Sequence, residues 1–309
     1  MSVPASCKVT RVNPHRTLTV AEAQRYVTGN VTAVNRLAGA GVSDVFEVVT
    51  DERSVVVKVF PPHYAWKLAK ELFVYRLVAE RAAEVPVPRI VGADHDERVL
   101  VLERIDGVST STLADDDVPM LYRELGRLLA RLHAIELEAF GYLTADGVVE
   151  PHATNLDYMR SQFAKRLASF AELGGDTALR NAIERHVRTR EELLVCGPTA
   201  VFCHNDCHEG NVLVTGEANG VVAGLLDFEN ALAGDPLLDV AKTIAYSGRD
   251  RRVIMDAIAE GYGDLPARWR DGLDLYGLYH VLELWTWYAS LGEREHLDEL
   301  ADDLAGRIG

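Results

Sequence analysis

A chain of 309 residues is long enough to bury a sizeable core and to divide into two lobes. It is 48% hydrophobic and 26% charged, an ordinary globular composition, and its 32 Lys and Arg against 47 Asp and Glu leave a formal net charge of −15. That balance repels phosphate backbones and argues against a nucleic-acid partner, while favouring cationic small molecules only weakly. No stretch approaches the ~18 apolar residues of a membrane span. The segment from Met1 to Arg16 mixes Lys8, Arg11 and Arg16 with polar residues, so no signal peptide and a cytoplasmic location are expected. Cys7, Cys196, Cys203 and Cys207 are too few and too scattered for a disulfide scaffold.

Taken in chain order, Thr19 is expected to cap a short helix over Val20 to Tyr26. Arg36 to Val49 reads as a turn followed by a strand. Gly39 and Gly41 allow close backbone approach to a ligand, and Ser43 can donate to a phosphate. A small-residue hairpin turn explains this stretch equally well, and no Walker sequence occurs in the chain. Ser54 to Phe60 is a β-branched strand carrying Lys58, ended by Pro61-Pro62. A helix follows from about Trp66 to Ala82, with Glu71 in its first half. A strand lysine followed by a helix glutamate has the arrangement of the ion pair that aims a kinase lysine at phosphates. Read singly, the two are a surface-strand lysine and a solvated helix face.

Val85-Pro86-Val87-Pro88 is an extended connector, since each proline disfavours helix in its predecessor. Val99 to Gly107 is a strand running into a turn, where backbone groups can pair with a purine edge. Strands concentrate before this crossing and helices after it. Met120 to Ala134 is amphipathic, with Leu121, Leu125, Leu128, Leu129 and Leu132 on its inner face; His133 reads as a core or helix-end histidine. Further helices are expected over 155–173 and 177–195.

From Val201 to Val214 a polar, small-residue loop lies between two apolar β-like runs, with His204, Asp206 and Asn211 in His-x-Asp-x-x-x-x-Asn spacing. In phosphoryl transfer such an Asp positions the acceptor hydroxyl and takes its proton, and such an Asn holds Mg²⁺. Asp227 ends the next strand-like run as a candidate second metal ligand, and Asp227-Phe228-Glu229 stands where a protein kinase carries Asp-Phe-Gly. Cys203, His204, Cys207 and His208 offer zinc-type ligands as a rival. Adjacent residues at a strand end point to opposite faces, and no second cysteine pair is spaced to close the site. Asp235 and Pro236 start another helix as N-cap and first turn. In the helices that follow, Tyr276, Tyr279, Trp285, Trp287 and Tyr288 read mainly as core, with a minority able to line an acceptor pocket. Internal repeats and low-complexity segments are absent.

These features together resemble the aminoglycoside phosphotransferase and choline kinase family. The resemblance is carried by His204-x-Asp206-x-x-x-x-Asn211, Asp227, Gly234-Asp235-Pro236-x-x-Asp239, Lys58 with Glu71, Val85-Pro86-Val87-Pro88 and Leu125-Gly126-x-x-Leu129-x-x-Leu132-His133. It covers roughly residues 30–250. The implied fold is α+β and two-lobed, protein-kinase-like, with a small β-rich N-lobe (1–104) and a larger, mostly helical C-lobe (105–309). The implied activity moves the γ-phosphate of ATP or GTP, with Mg²⁺, to a hydroxyl of a small molecule. An antibiotic (aminoglycoside, macrolide, nucleoside or peptide) is the first expectation for that acceptor, and choline, homoserine or a sugar the second. A binding protein that has lost transfer is the rival class, disfavoured by intact Lys58, Asp206, Asn211 and Asp227. By resemblance Asp206 is the catalytic Asp and Asn211 and Asp227 bind Mg²⁺. Lys58 contacts the phosphates, Glu71 orients it, and Ser43 lies in the phosphate-covering loop. Main-chain groups of Glu103 and Ile105 meet the purine, while His204 and Asp239 brace the catalytic loop. Asp44 departs from the pattern, since many relatives carry Asn there, and its carboxylate is expected to point away from phosphates. Cys207, His208 and Glu209 receive no catalytic role.

Overall fold

The unbroken apolar run around Lys58 follows from a sheet buried on both faces. A computed structural model describes residues 17–37, 43–110, 113–215 and 221–309, so Cys7 and the turn glycines Gly39 and Gly41 lie outside the described residues. A short helix α1 (Val20–Ala23) precedes strands β1 (Val31–Arg36), β2 (Asp44–Thr50) and β3 (Ser54–Val59). Helix α2 (Ala65–Arg81) and strands β4 (Ile90–Asp94) and β5 (Val99–Glu103) follow. The five strands pair antiparallel in the order β1-β2-β3-β5-β4.

Side-chain parity divides the sheet. Val55, Val57, Val59, Val99 and Val101 bury against Leu18 and Ala23, whereas Phe60, Leu100 and Leu102 join the main core with Leu68 and Leu72 of α2. Lys58 shares parity with Phe60 and so faces α2. Thr19 caps α1 as expected and forms a capping box with Glu22, yet α1 spans one turn only. The Gln24 side chain donates to Gly29 O at 2.7 Å and accepts from Val31 N at 3.0 Å, diverting the chain into β1.

After the crossing come β6 (Val108–Ser109), α3 (Val118–Leu132), β7 (Glu136–Leu137), β8 (Phe140–Thr144), β9 (Gly147–His152), α4 (Asn155–Glu172) and α5 (Thr177–Arg188). Then follow β10 (Ala200–Cys203), β11 (Val212–Val214), β12 (Val222–Leu225), β13 (Leu232–Gly234), α6 (Pro236–Ala245), α7 (Arg251–Tyr262), α8 (Trp269–Leu291) and α9 (Leu297–Ile308). Two further sheets run β7-β10-β13-β8-β9 and β12-β11-β6. Helix α3 starts ahead of Met120 because Pro119 suits its first turn. It lies close on α7, and a Cβ at Gly261 would fall 1.8 Å from Arg123 O. The expected 177–195 helix ends at Arg188, and a 3₁₀ turn over Glu191–Leu194 follows it. The β8–β9 hairpin was not anticipated, although Asp146-Gly147 is a turn pair and Gly147 has φ 104°. Tyr276, Tyr279 and Trp285 are core, whereas Trp287 is 44% exposed. Among the described residues no helix is long and apolar enough to cross a membrane.

Candidate active site

Strand β10 delivers the chain to His204 at the centre of the larger lobe, flanked by β7 and β13. There the backbone leaves extended geometry, since Asn205 has φ 56°, in the left-handed region that asparagine tolerates. The following helix stabilises that turn. Asp239, fully buried on α6, accepts from His204 N at 2.6 Å and Asn205 N at 2.8 Å. His133 Nε2 lies 3.2 Å from the same carboxylate and its Nδ1 2.9 Å from Tyr262 Oη, so His133 is structural. Burial works against the Asp239 charge, but His133, His204 and the backbone donors outweigh it and hold the carboxyl below its ordinary range. Burial also lowers the His204 pKa, and its Nε2 lies 3.1 Å from Leu226 O.

The loop's tip is tied down as well. Glu209 Oε1 accepts from Tyr122 Oη at 2.9 Å and Ser247 Oγ at 2.5 Å, which anchors the tip. Asp206 is partly exposed at the loop's centre. Asn211 Nδ2 donates to Asp206 O at 2.9 Å, and Asn230 Nδ2 donates to Asp206 Oδ2 at 3.0 Å. Asn230 was not singled out from the sequence.

A hairpin brings the next group in. Val212 pairs with Leu225, and Leu226 N donates to Asn211 O at 2.8 Å, so Asn211 lies beside the residue preceding Asp227. Asp227 itself has φ 63°. From the first sheet, Lys58 Nζ reaches Asp227 Oδ1 at 3.1 Å and Glu71 Oε1 at 2.6 Å. Lys58 is 6% exposed and Glu71 0%. Burial disfavours the Lys58 charge, but Asp227 and then Glu71 more than compensate and raise its pKa well above the usual value. Burial likewise opposes the Asp227 charge, and Lys58 reverses it, leaving that carboxyl below its usual range.

The remaining candidates have contacts of their own. Ser43 is buried at the start of β2. The Asp44 carboxylate pairs with Arg36 across the β1–β2 ladder, which accounts for an acid at that position. Glu103 N donates to Arg89 O at 2.8 Å, so only its carbonyl is left to face a ligand. Ile105 packs on β12, where a Cβ at Gly224 would lie 2.6 Å from its Cδ1. The zinc-type residues turn to separate partners: Cys203 Sγ donates to Asp235 O at 3.6 Å, His204 meets Leu226, and His208 Nδ1 accepts from Gly210 N at 3.0 Å.

Lys70, fully buried on α2, is a cost to the fold. Its Nζ has no hydrogen-bond partner and lies 3.7 Å from the Tyr142 ring centroid. Burial first, then repulsion from Lys67, pushes its pKa down to about 6. Between that value and the usual lysine value the unfolded chain binds the extra proton, so this group makes stability rise with pH across the window. Lys70→Met is expected to stabilise the protein by about 1–3 kcal/mol near neutrality, the scale of one unsatisfied buried polar group. It should also flatten the pH dependence of chemical denaturation above pH 6, and an unchanged profile would contradict this.

Five antiparallel strands and a helix, a lysine reaching across to a two-strand hairpin, and a braced Asp loop define a phosphotransferase with a protein-kinase-like fold. The chain belongs to the phosphotransferase enzyme family, whose model matches residues 34–271. Among solved structures it is similar to a Thermobifida fusca protein assigned to the fructosamine-3-kinases, at 19% identity and TM-score 0.69, covering 94% of this chain and 98% of that one. It is also similar to the aminoglycoside phosphotransferase APH(4)-Ia, in a ternary complex of a thermostable mutant with ADP and hygromycin B, at 18% identity and TM-score 0.71, covering 90% and 94%. The gentamicin complex of APH(2")-IIa matches at 18% identity and TM-score 0.67, covering 89% and 92%. At such identities the likeness concerns the fold.

Proposed function

We propose that the protein transfers the γ-phosphate of ATP or GTP to a hydroxyl of an antibiotic, with a crossing near residues 104–105 dividing the two lobes. The observation that carries this reading is the 3.1 Å contact between Lys58 and Asp227, two residues 169 positions apart. It supports one phosphate-binding centre built from both lobes. Asp206 positions the acceptor hydroxyl and takes its proton. Lys58, aimed by Glu71, neutralises phosphate charge; Ser43 and the main chain at Glu103 and Ile105 hold the rest of the nucleotide. His204 and Asp239 keep the loop in shape.

Asn211 and Asp227 offer hard oxygen donors of the kind Mg²⁺ takes, and the bonds from Asn211 Nδ2 to Asp206 leave Asn211 Oδ1 for such a role. Bound there, Mg²⁺ would supply positive charge against the negative charge that develops on the transferring phosphate. Because phosphoryl transfer asks little covalent chemistry of the protein, positioning of the two substrates supplies most of the rate.

The test is a nucleotide-consumption screen of antibiotics and hydroxylated metabolites with both nucleotides, read by phosphorylated-product mass. Acceptor-dependent consumption with an antibiotic supports the first reading. A metabolic acceptor is the second, favoured by the likeness to the Thermobifida fusca protein; product formed only from choline, homoserine or sugars would establish it instead. Nucleotide binding without transfer to anything would remove both.

A further inference from the structure

Lys67, Glu71 and Tyr75 recur at i, i+4 and i+8 and form one stripe along α2. That stripe meets three consecutive residues of the other lobe. Lys67 Nζ lies 2.9 Å from Glu229 Oε1, with both side chains 8% exposed. Glu71 meets Asp227 through Lys58, and the Tyr75 ring packs edge-on against Phe228 at 5.4 Å. Only the Glu71–Lys58–Asp227 contact belongs to the phosphate-binding centre already described, and the Lys67–Glu229 pair lies outside it.

Glu229 stands where the protein-kinase triplet carries glycine, and a buried carboxylate there is costly unless paired. Carboxylate oxygens of Glu71, Asp227 and Glu229 lie within 4.8 Å of one another, and Oε2 of both Glu71 and Glu229 has no hydrogen-bond partner. Lys58 answers two of the three charges and Lys67 the third. Without Lys67, Glu229 would repel the two acids that hold Lys58. The Glu229 backbone is tethered too, since Tyr142 Oη donates to its carbonyl at 3.1 Å.

We infer that Lys67 and Glu229 are positioning residues for phosphoryl transfer: their buried ion pair fixes α2, and with it Glu71 and Lys58, against the Asp227 segment. A glycine would leave that segment free to turn; here it is pinned in the assembled arrangement. The inference rests on the phosphotransferase reading above.

The experiment compares Lys67→Met, Glu229→Gln, the double variant and Lys67→Arg in the full chain. It reads magnesium-dependent binding of a fluorescent ATP analogue, nucleotide turnover and melting temperature. Each single variant should weaken nucleotide binding and cut turnover by about 10- to 100-fold, the scale set by small misplacement of reacting groups. Lys67→Arg should stay within about threefold of the parent, because it keeps the charge and a donor. The double neutral variant should regain melting temperature without regaining binding or turnover, which a merely structural pair would not do. Parent-like binding in Lys67→Met, or recovery of turnover together with stability in the double variant, overturns the inference alone. A parent chain that binds no nucleotide overturns both the inference and the reading beneath it. Binding and turnover, the latter as acceptor-independent nucleotide hydrolysis, are both measured with nucleotide only, so no acceptor need be known.

Discussion

Asp206→Asn is expected to lower turnover by about 10²- to 10⁴-fold, the usual effect of losing a positioned base. The substitution keeps the side chain's size, and Asp239 still holds the backbone at His204 and Asn205, so the loop keeps its shape. Nucleotide affinity should therefore stay within a fewfold of the parent while kcat collapses, the signature of an interaction made in the transition state. Steady-state kinetics beside nucleotide titration separates the two quantities. Full turnover in Asp206→Asn would end the assignment of Asp206 as base.

Lys58→Met should damage both binding and folding. It removes the ammonium that Glu71, which is 0% exposed, meets at 2.6 Å, and takes from Asp227 its 3.1 Å partner. Breaking a buried pair from one side strands a charge at a cost of about 3–5 kcal/mol. Nucleotide affinity should fall as well, because the cation that meets the phosphates is gone. A second change, Glu71→Leu on the Lys58→Met background, should recover much of the stability by removing the stranded acid, and none of the activity. Denaturant unfolding of the three proteins reads the first effect and nucleotide titration the second. A Lys58→Met protein as stable as the parent would mean that Glu71 is neutral in the fold and that the pair is not ionic.

The loop bearing Asp206 was legible because its information is local. Apolar runs on both sides of His204 to Asn211 mark a loop between buried strands, and the spacing of Asp206 and Asn211 lies within it. Strand parity extended that reach. An alternating-face argument places Lys58 on the side of Phe60, Leu100 and Leu102, where the helix bearing Glu71 must pack. Helix limits were legible to within a few residues wherever a cap or proline marked them, as Asp235 and Pro236 mark α6.

Other features had no such marker. Asp239 was expected to brace the loop only through the family resemblance, and nothing local in the sequence specifies the backbone N–H groups of His204 and Asn205, 35 and 34 positions away, that its carboxylate accepts from. Asn230 approaches Asp206 only because β10 and β13 pair with Cys203 opposite Leu232. Glu209 has no local marker for the bonds its carboxylate accepts from Tyr122 and Ser247, 87 and 38 positions away. The β8–β9 hairpin carries a turn signal in Asp146-Gly147 between two short strands.

By itself, then, the chain's order of residues determined its strands, its helices, the loop bearing Asp206 and the chemistry those side chains can perform. Each of these depends on neighbours a few positions away, through backbone preference, periodicity and capping. Tertiary structure alone decided which charges meet: Lys58 with Asp227, Lys67 with Glu229 across 162 positions, and Lys70 with no hydrogen-bond partner. The reason is physical. A lysine on a helix has the same local pattern whether it faces solvent, a carboxylate or an aromatic ring, and only the packing of the two lobes sets the surroundings that give its charge an energy.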